Sequence, residues 1–254
     1  MIVAVINNKG GTGKTTSSVN LAAGLVRQGY RTLLVDLDSQ ASAALSLGIS
    51  REKLEPGMSE ALMDGMPMEE VVKPKVSAGL DVAPGGMDLA NLDLNLADIP
   101  GREKRLNIQL QRVADYYDWI VLDCPPSLSL LSVNALVASD GYLIPVKPEY
   151  LSMEGLASLN QSVLRLKKGM RRAPSMLGVL LTIVHPSSRA AREIIQRVRQ
   201  GYGENVFQNY VRQDVRLLEA PEAGMSIFDY APRSNGAMAY TRIVKELLER
   251  AAKG

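Results

Sequence analysis

Residues 9–16 read Lys-Gly-Gly-Thr-Gly-Lys-Thr-Thr, follow the apolar run Ile2-Val3-Ala4-Val5-Ile6 and open a helix-compatible stretch from Lys14 to Gln28. A strand, a glycine-rich turn and a helix in that order make a loop that wraps a polyphosphate. The usual spacing Gly-x-x-x-x-Gly-Lys-Ser/Thr holds, except that Asn8 stands where the first glycine would be. Gly10, Gly11 and Gly13, with Thr12 among them, let successive backbone N–H groups turn inward. Lys14 then brings a point charge to the phosphates and Thr15 a hydroxyl for Mg²⁺, while the helix N-terminus adds its positive dipole end.

The remaining bounds come from size, cysteine count and charge. The 254 residues contain no obvious linker, so the sequence predicts one α/β domain spanning 1–254. With 46% hydrophobic and 22% charged residues the chain reads as a soluble globular protein, and no apolar run approaches the ~20 residues that span a bilayer. The N-terminus already reads as a strand, which predicts neither a signal peptide nor an appended module. A single cysteine, Cys124, excludes an internal disulfide and a multi-cysteine metal site within one chain, and a reducing cytoplasm fits. Behind the net charge of +2, residues 1–164 hold 13 Lys/Arg against 19 Asp/Glu, whereas residues 165–254 hold 16 against 8. Segregation of this size favours a polyanion partner such as nucleic acid, or an anionic membrane surface.

Short apolar β-rich runs at 2–7, 32–36, 80–83, 119–123, 141–145 and 176–183 alternate with helix-length segments at 14–28, 102–116, 130–138, 152–168, 190–201 and 236–252. Continuous rather than alternating apolarity predicts strands covered on both faces. The expected fold is therefore a doubly wound, mostly parallel sheet flanked by helices. The proline- and glycine-bearing stretch 50–76 is the least regular and reads as a specificity insertion.

Three acids end strands at the edge where open α/β sheets bind ligands. The second strand runs into Asp36-Leu37-Asp38-Ser39-Gln40, and Trp119-Ile120-Val121-Leu122 runs into Asp123. Alternation along an extended chain predicts that Asp36 and Asp38 point the same way, one toward the Mg²⁺ shell and the other toward an attacking water. Asp123 is placed to hold Mg²⁺ through water.

Lys9 before Gly10-Gly11, Asp36-Leu37-Asp38-Ser39-Gln40, Asp123-Cys124-Pro125-Pro126-Ser127, the stretch 145–156 (Pro-Val-Lys-Pro-Glu-Tyr-Leu-Ser-Met-Glu-Gly-Leu) and Arg216-Leu217-Leu218-Glu219-Ala220-Pro221 together resemble the ParA-type, Soj-like deviant Walker-A ATPases of the ParA/MinD superfamily. The resemblance runs essentially end to end. It implies the deviant P-loop NTPase fold, ATP and Mg²⁺ as ligands, and a homodimer in which Lys9 reaches the phosphates bound by the partner subunit. Lys14 would act in cis, Thr15 on Mg²⁺, Thr16 on the α-phosphate, Asp38 on the water, Asp36 and Asp123 on the metal side, and Pro221 beside the adenine. It further implies non-specific DNA binding through basic residues of the C-terminal part, with Arg189, Arg192, Arg197, Arg199, Arg212, Arg216 and Arg233 as candidates and Lys245 as a further one. Hydrolysis would be stimulated by a cargo-bound, ParB-like adaptor with a basic N-terminal segment, at the nucleoid in the cytoplasm. The chain departs from many relatives in carrying Arg212-Gln213-Asp214 where they have Pro-Arg-Asn, so the basic residue is displaced by one position. Arg216 has two readings, a DNA contact or an ion-pair partner of Glu219.

The alternative is a MinD-like membrane-surface ATPase, in which Ile243, Leu247 and Leu248 with Arg242, Lys245 and Arg250 would form a lipid-sensing helix. The same stripe also continues a core-packing helix, which is the preferred reading, since the end Ala251-Ala252-Lys253-Gly254 is barely apolar and no bulky aromatic sits there. A metal-cluster carrier needs more cysteines than Cys124. His185, the only histidine, reads as a loop residue near the base, and Cys124 as a small buried residue.

Overall fold

In the computed structural model, which describes residues 1–150, 152–169 and 173–252, each apolar run becomes a strand of one seven-stranded sheet. The strands are β1 (Ile2–Val5), β2 (Thr32–Asp36), β3 (Lys73–Ser77), β4 (Leu80–Ala83), β5 (Trp119–Asp123), β6 (Gly141–Val146) and β7 (Ser175–Leu181). Their order is β3-β4-β2-β5-β1-β6-β7, with every pairing parallel except β3 with β4. The principal helices are α1 (Lys14–Arg27), α2 (Arg105–Val113), α3 (Leu130–Ala138), α4 (Ser152–Lys167), α5 (Arg189–Tyr202) and α6 (Asn235–Ala251). Leu151, within the 145–156 resemblance, and the terminal Lys253 and Gly254 lie outside the described residues.

Alternation along β1 explains the two layers. Ala4 joins Leu106, Leu110, Leu156 and Leu159 of α2 and α4 in one core, while Val3 and Val5 join Leu21, Leu25, Tyr240 and Leu247 of α1 and α6 in the other. Helix α6 seats on α1 at Gly24: a Cβ there would lie 2.7 Å from Val244 Cγ2, so glycine is what lets the two helices meet. Ser17 and Tyr240 hydroxyls meet at 3.1 Å across the same contact. Ile243 and Leu247 are fully buried, so the stripe weighed as lipid-sensing belongs to the core.

The stretch 50–76 is more regular than its prolines predict. Helices Met58–Met63 and Met68–Val71 send Met58, Leu62, Met68 and Val71 into the core, and the antiparallel β3 closes the edge of β4. Lys73, Pro74 and Lys75 are edge-strand composition, which lacks the apolar signature used to find the buried strands.

Candidate nucleotide site and basic face

The register of the sheet assembles the site. Val5 and Asp36 both pair with Asp123, so the loop after β1 and the acids ending β2 and β5 meet at one edge. Gly11 and Gly13 adopt φ of 69° and 79°, the left-handed region that a glycine enters without steric cost. A Cβ built at Gly10 or Gly11 would meet nothing within 4 Å, leaving an open backbone cradle. Asn7 fixes the loop's entry by donating from Nδ2 to the Pro145 carbonyl at 2.7 Å and accepting the Lys9 N–H at 3.0 Å.

Two lysines divide at this loop. Lys14 is only 7% exposed, and its Nζ donates to the Lys9 carbonyl at 3.0 Å. Burial pushes its ammonium below the ordinary lysine range, against the opposing pull of Asp123 and Asp38. The Lys9 side chain is 40% exposed, and its Nζ lies 3.1 Å from Glu149 Oε2. Glu149 also pairs with Lys147, and these two cations hold its carboxyl below the usual range.

The three acids have different surroundings. Asp123 is fully buried; Oδ1 accepts the Ser18 hydroxyl at 2.8 Å, while Oδ2 has no hydrogen-bond partner of regular geometry. Burial raises its carboxyl above the usual range, while the Ser18 and Thr15 hydroxyls pull the other way. An orphaned carboxylate oxygen beside Thr15 fits a site for a metal's water shell. Asp36 is buried as well, its carboxyl raised by desolvation first and by Asp123 second. Its Oδ1 accepts the Asp38 N–H at 3.0 Å and its Oδ2 the Ala43 and Ala44 N–H groups at 2.8 and 3.1 Å. The strand ends at Asp36, so the alternation that predicts a shared direction does not reach Asp38. Asp36 turns into the backbone, and Asp38 stays half-exposed, holding Gln40 N–H at 3.0 Å. Among the described residues no three His, Cys, Asp or Glu side chains gather into a metal cage. Mg²⁺ bound with a nucleotide needs none, since phosphate oxygens and water fill most of its shell.

Other expected residues find their places around this core. The Thr16 carbonyl accepts Asn20 Nδ2 at 2.8 Å. Pro221 lies inside the short helix Arg216–Glu222, whose Leu217 and Ala220 are buried. His185 is exposed and lines a hollow of about 700 Å³ with Lys147, Glu149, Tyr150 and Arg197. Cys124 is buried, and burial pushes its thiol up, away from nucleophilic use.

The arginines of the C-terminal part separate into groups. Arg189 pairs with Glu193 and Arg216 with Glu219, each at 2.9 Å. Arg192 donates to the Pro186 and Ser187 carbonyls and Arg199 to those of Phe207 and Gln208. Arg197 and Arg233 are exposed. Arg212 stacks 5.9 Å from the Tyr210 ring and shares a hollow of about 260 Å³ with Arg242, Gln208, Asn209 and Asn235, a lining without a carboxylate. Arg242 also borders the neighbouring hollow with Arg199 and Lys245. Arg250, by contrast, is consumed internally: it pairs with Glu246 at 2.9 Å, caps the Leu177 and Val206 carbonyls and covers the Phe207 ring at 4.3 Å. Sequence reasoning named Arg242 only for a membrane helix, and it missed Ser18, Glu149 and Thr182, whose hydroxyl donates to the Thr12 carbonyl at 2.7 Å.

A glycine loop between strand and helix, on a parallel sheet with acids at the ends of adjoining strands, defines a phosphate-loop nucleotide-binding α/β protein. The AAA domain family matches residues 1–175, and the chain belongs to that family as a ParA/MinD-type P-loop ATPase. It is 40% identical over 246 residues to the sporulation initiation inhibitor protein Soj of Bacillus subtilis, covering 97% of each chain. It is 39% identical to the chromosome partitioning protein ParA of Myxococcus xanthus, over 98% of this chain and 88% of that one. Among solved structures, cobyrinic acid a,c-diamide synthase from Mycobacterium smegmatis with bound ADP and magnesium is similar with a TM-score of 0.87 at 28% identity, covering 100% of this chain and 96% of that one.

Proposed function

We propose that this protein is a partitioning or positioning ATPase whose 254 residues act as one domain. As a Mg²⁺–ATP-bound homodimer it holds to DNA without sequence preference, and a cargo-bound, ParB-like adaptor with a basic N-terminal segment stimulates hydrolysis and releases it. It works in the cytoplasm at the nucleoid. The near-full-length identity to Soj and ParA supports the partitioning role over amide synthesis.

The observation that carries this reading is the division between the lysines. Lys14 is buried under the loop, whereas Lys9 presents a half-exposed ammonium from the same loop. Lys9 is held by the half-exposed Glu149 rather than by the loop's own phosphate cradle, and a surface ion pair of this kind exchanges at little cost, so the ammonium suits a triphosphate held by a second copy. Gly10, Gly11, Thr12 and Gly13 supply backbone N–H groups, Lys14 the cation in cis, Thr15 a metal ligand and Thr16 an α-phosphate contact. Asp123, with its free buried oxygen, serves the metal shell; Asp36 holds the start of helix Ser42–Ser46 and so fixes that edge of the site. When bound, Mg²⁺ would supply charge neutralisation to the phosphates, held through Thr15 and Asp123. Asp38 orients the attacking water, and Pro221 borders the adenine. DNA phosphates meet Arg212, Arg242 and Lys245, with Arg192, Arg197, Arg199 and Arg233 alongside; Arg189 and Arg216 contribute after exchanging surface ion pairs that hold them weakly. Burial of Ile243 and Leu247 weighs against the membrane-surface alternative.

Co-sedimentation with ATP and Mg²⁺ tests the reading. The protein should pellet with DNA and stay in the supernatant with anionic liposomes; the reverse partition would refute it.

A further inference from the structure

We infer that Thr182, immediately after β7, is the positioning residue that sets the phosphate loop in its nucleotide-binding conformation. Gly11 and Gly13 flank Thr12 in left-handed conformations, and a glycine accepts either sign of φ, so the peptide between Thr12 and Gly13 can turn over at little steric cost. In a trans peptide the C=O and the following N–H point in opposite directions. Whatever fixes the Thr12 carbonyl therefore aims the Gly13 N–H.

Thr182 does this. Its Oγ1 donates to the Thr12 carbonyl at 2.7 Å, and both residues are only 2% exposed, so water does not compete for the bond. The carbonyl is drawn toward β7, and the Gly13 N–H faces the other way, into the cradle that Lys14 and Thr15 border. The Thr182 side chain also stands 3.6 Å from the position of a Cβ on Gly13, which limits how far the loop can move toward the sheet.

Thr182 is itself held on both sides. Its N–H donates to the Val146 carbonyl at 2.9 Å. The next residue, Ile183, is β-branched yet adopts φ 51°, an uncommon conformation that its surroundings must enforce. Val184 then donates to the Val211 carbonyl at 3.0 Å and accepts from Gln213 at 3.1 Å, which locks the chain immediately beyond the turn. The hydroxyl is thus delivered by a residue directly after β7 whose backbone on both sides is hydrogen-bonded.

The test is titration of the full chain with a fluorescent ATP analogue and Mg²⁺, at a temperature where circular dichroism reports each variant folded. Thr182→Val and Thr182→Ala leave the buried carbonyl without its donor, so each should bind at least about tenfold more weakly than wild type. Thr182→Ser keeps the hydroxyl and should bind within about threefold. A folded Val or Ala variant that binds as tightly as wild type would overturn the assignment. So would a Ser variant as weak as the Val one, because the side-chain shape and not the hydroxyl would then matter.

Discussion

Asp38 and Asp123 are neighbouring carboxylates with different surroundings. Asp123 is buried with an unmatched oxygen, whereas Asp38 remains half-exposed with Oδ1 on the Gln40 N–H. The accessible acid is the one suited to align water, and Asp38→Ala should lower ATP hydrolysis by roughly 100-fold while nucleotide stays bound. Phosphate release measured beside retained nucleotide checks this; brisk turnover by the variant would remove Asp38 from the role. The sequence made the loop of Lys14, Thr15 and the glycines legible because a strand, glycine turn and helix are encoded in spacing over a few residues. It could not point to Thr182, Glu149 or Ser18, which reach Thr12, Lys9 and Asp123 from 170, 140 and 105 residues away. Such pairs exist only once the sheet has brought strand ends together.

Among the elements, the six strands expected from continuous apolarity all form, because a strand buried on both faces has no polar face to obscure it. The exception, β3, is an edge strand with Lys73, Pro74 and Lys75, and its pairing is set by β4 rather than by its own composition. Helix α6 carries a second lesson. Its cationic side chains look equivalent in sequence, yet Arg250 is tied to Glu246, while Arg242 and Lys245 face solvent. Glu246 accepts the backbone N–H groups of Gln208 and Asn209 at 2.8 and 3.1 Å. Burial raises its carboxyl, but these bonds and Arg250 outweigh that and leave it below the ordinary range. A lowered folded-state value adds stability above the unfolded value of about 4.3 and loses it as pH falls through the folded value. Glu246→Gln should therefore cost about 1–3 kcal/mol at pH 7, with the gap from wild type closing below about pH 4 in denaturant unfolding. A pH-independent gap would mean that the charge is not what anchors α6.

At the scale of the whole molecule, the sequence revealed that the basic residues concentrate after residue 164, but not which of them are free. That distinction depends on Glu193, Glu219 and the carbonyls of the 206–208 segment, each a matter of folded geometry. Binding carried by phosphate contacts should weaken steeply with salt and ignore base sequence, and Arg212→Ala with Arg242→Ala should together reduce the salt slope by about 2. A double variant with an unchanged slope, or a sharp footprint on DNA, would relocate the interface. In the proposed function, DNA retention and release would depend on two copies closing around nucleotide, with Lys9 as the group that would make closure sensitive to the triphosphate. Analytical ultracentrifugation of wild type and Lys9→Ala with Mg²⁺–ATP is the most direct measurement. The account predicts an ATP-dependent dimer for wild type and a folded monomer for the variant; a Lys9→Ala chain that dimerises as wild type does would contradict it.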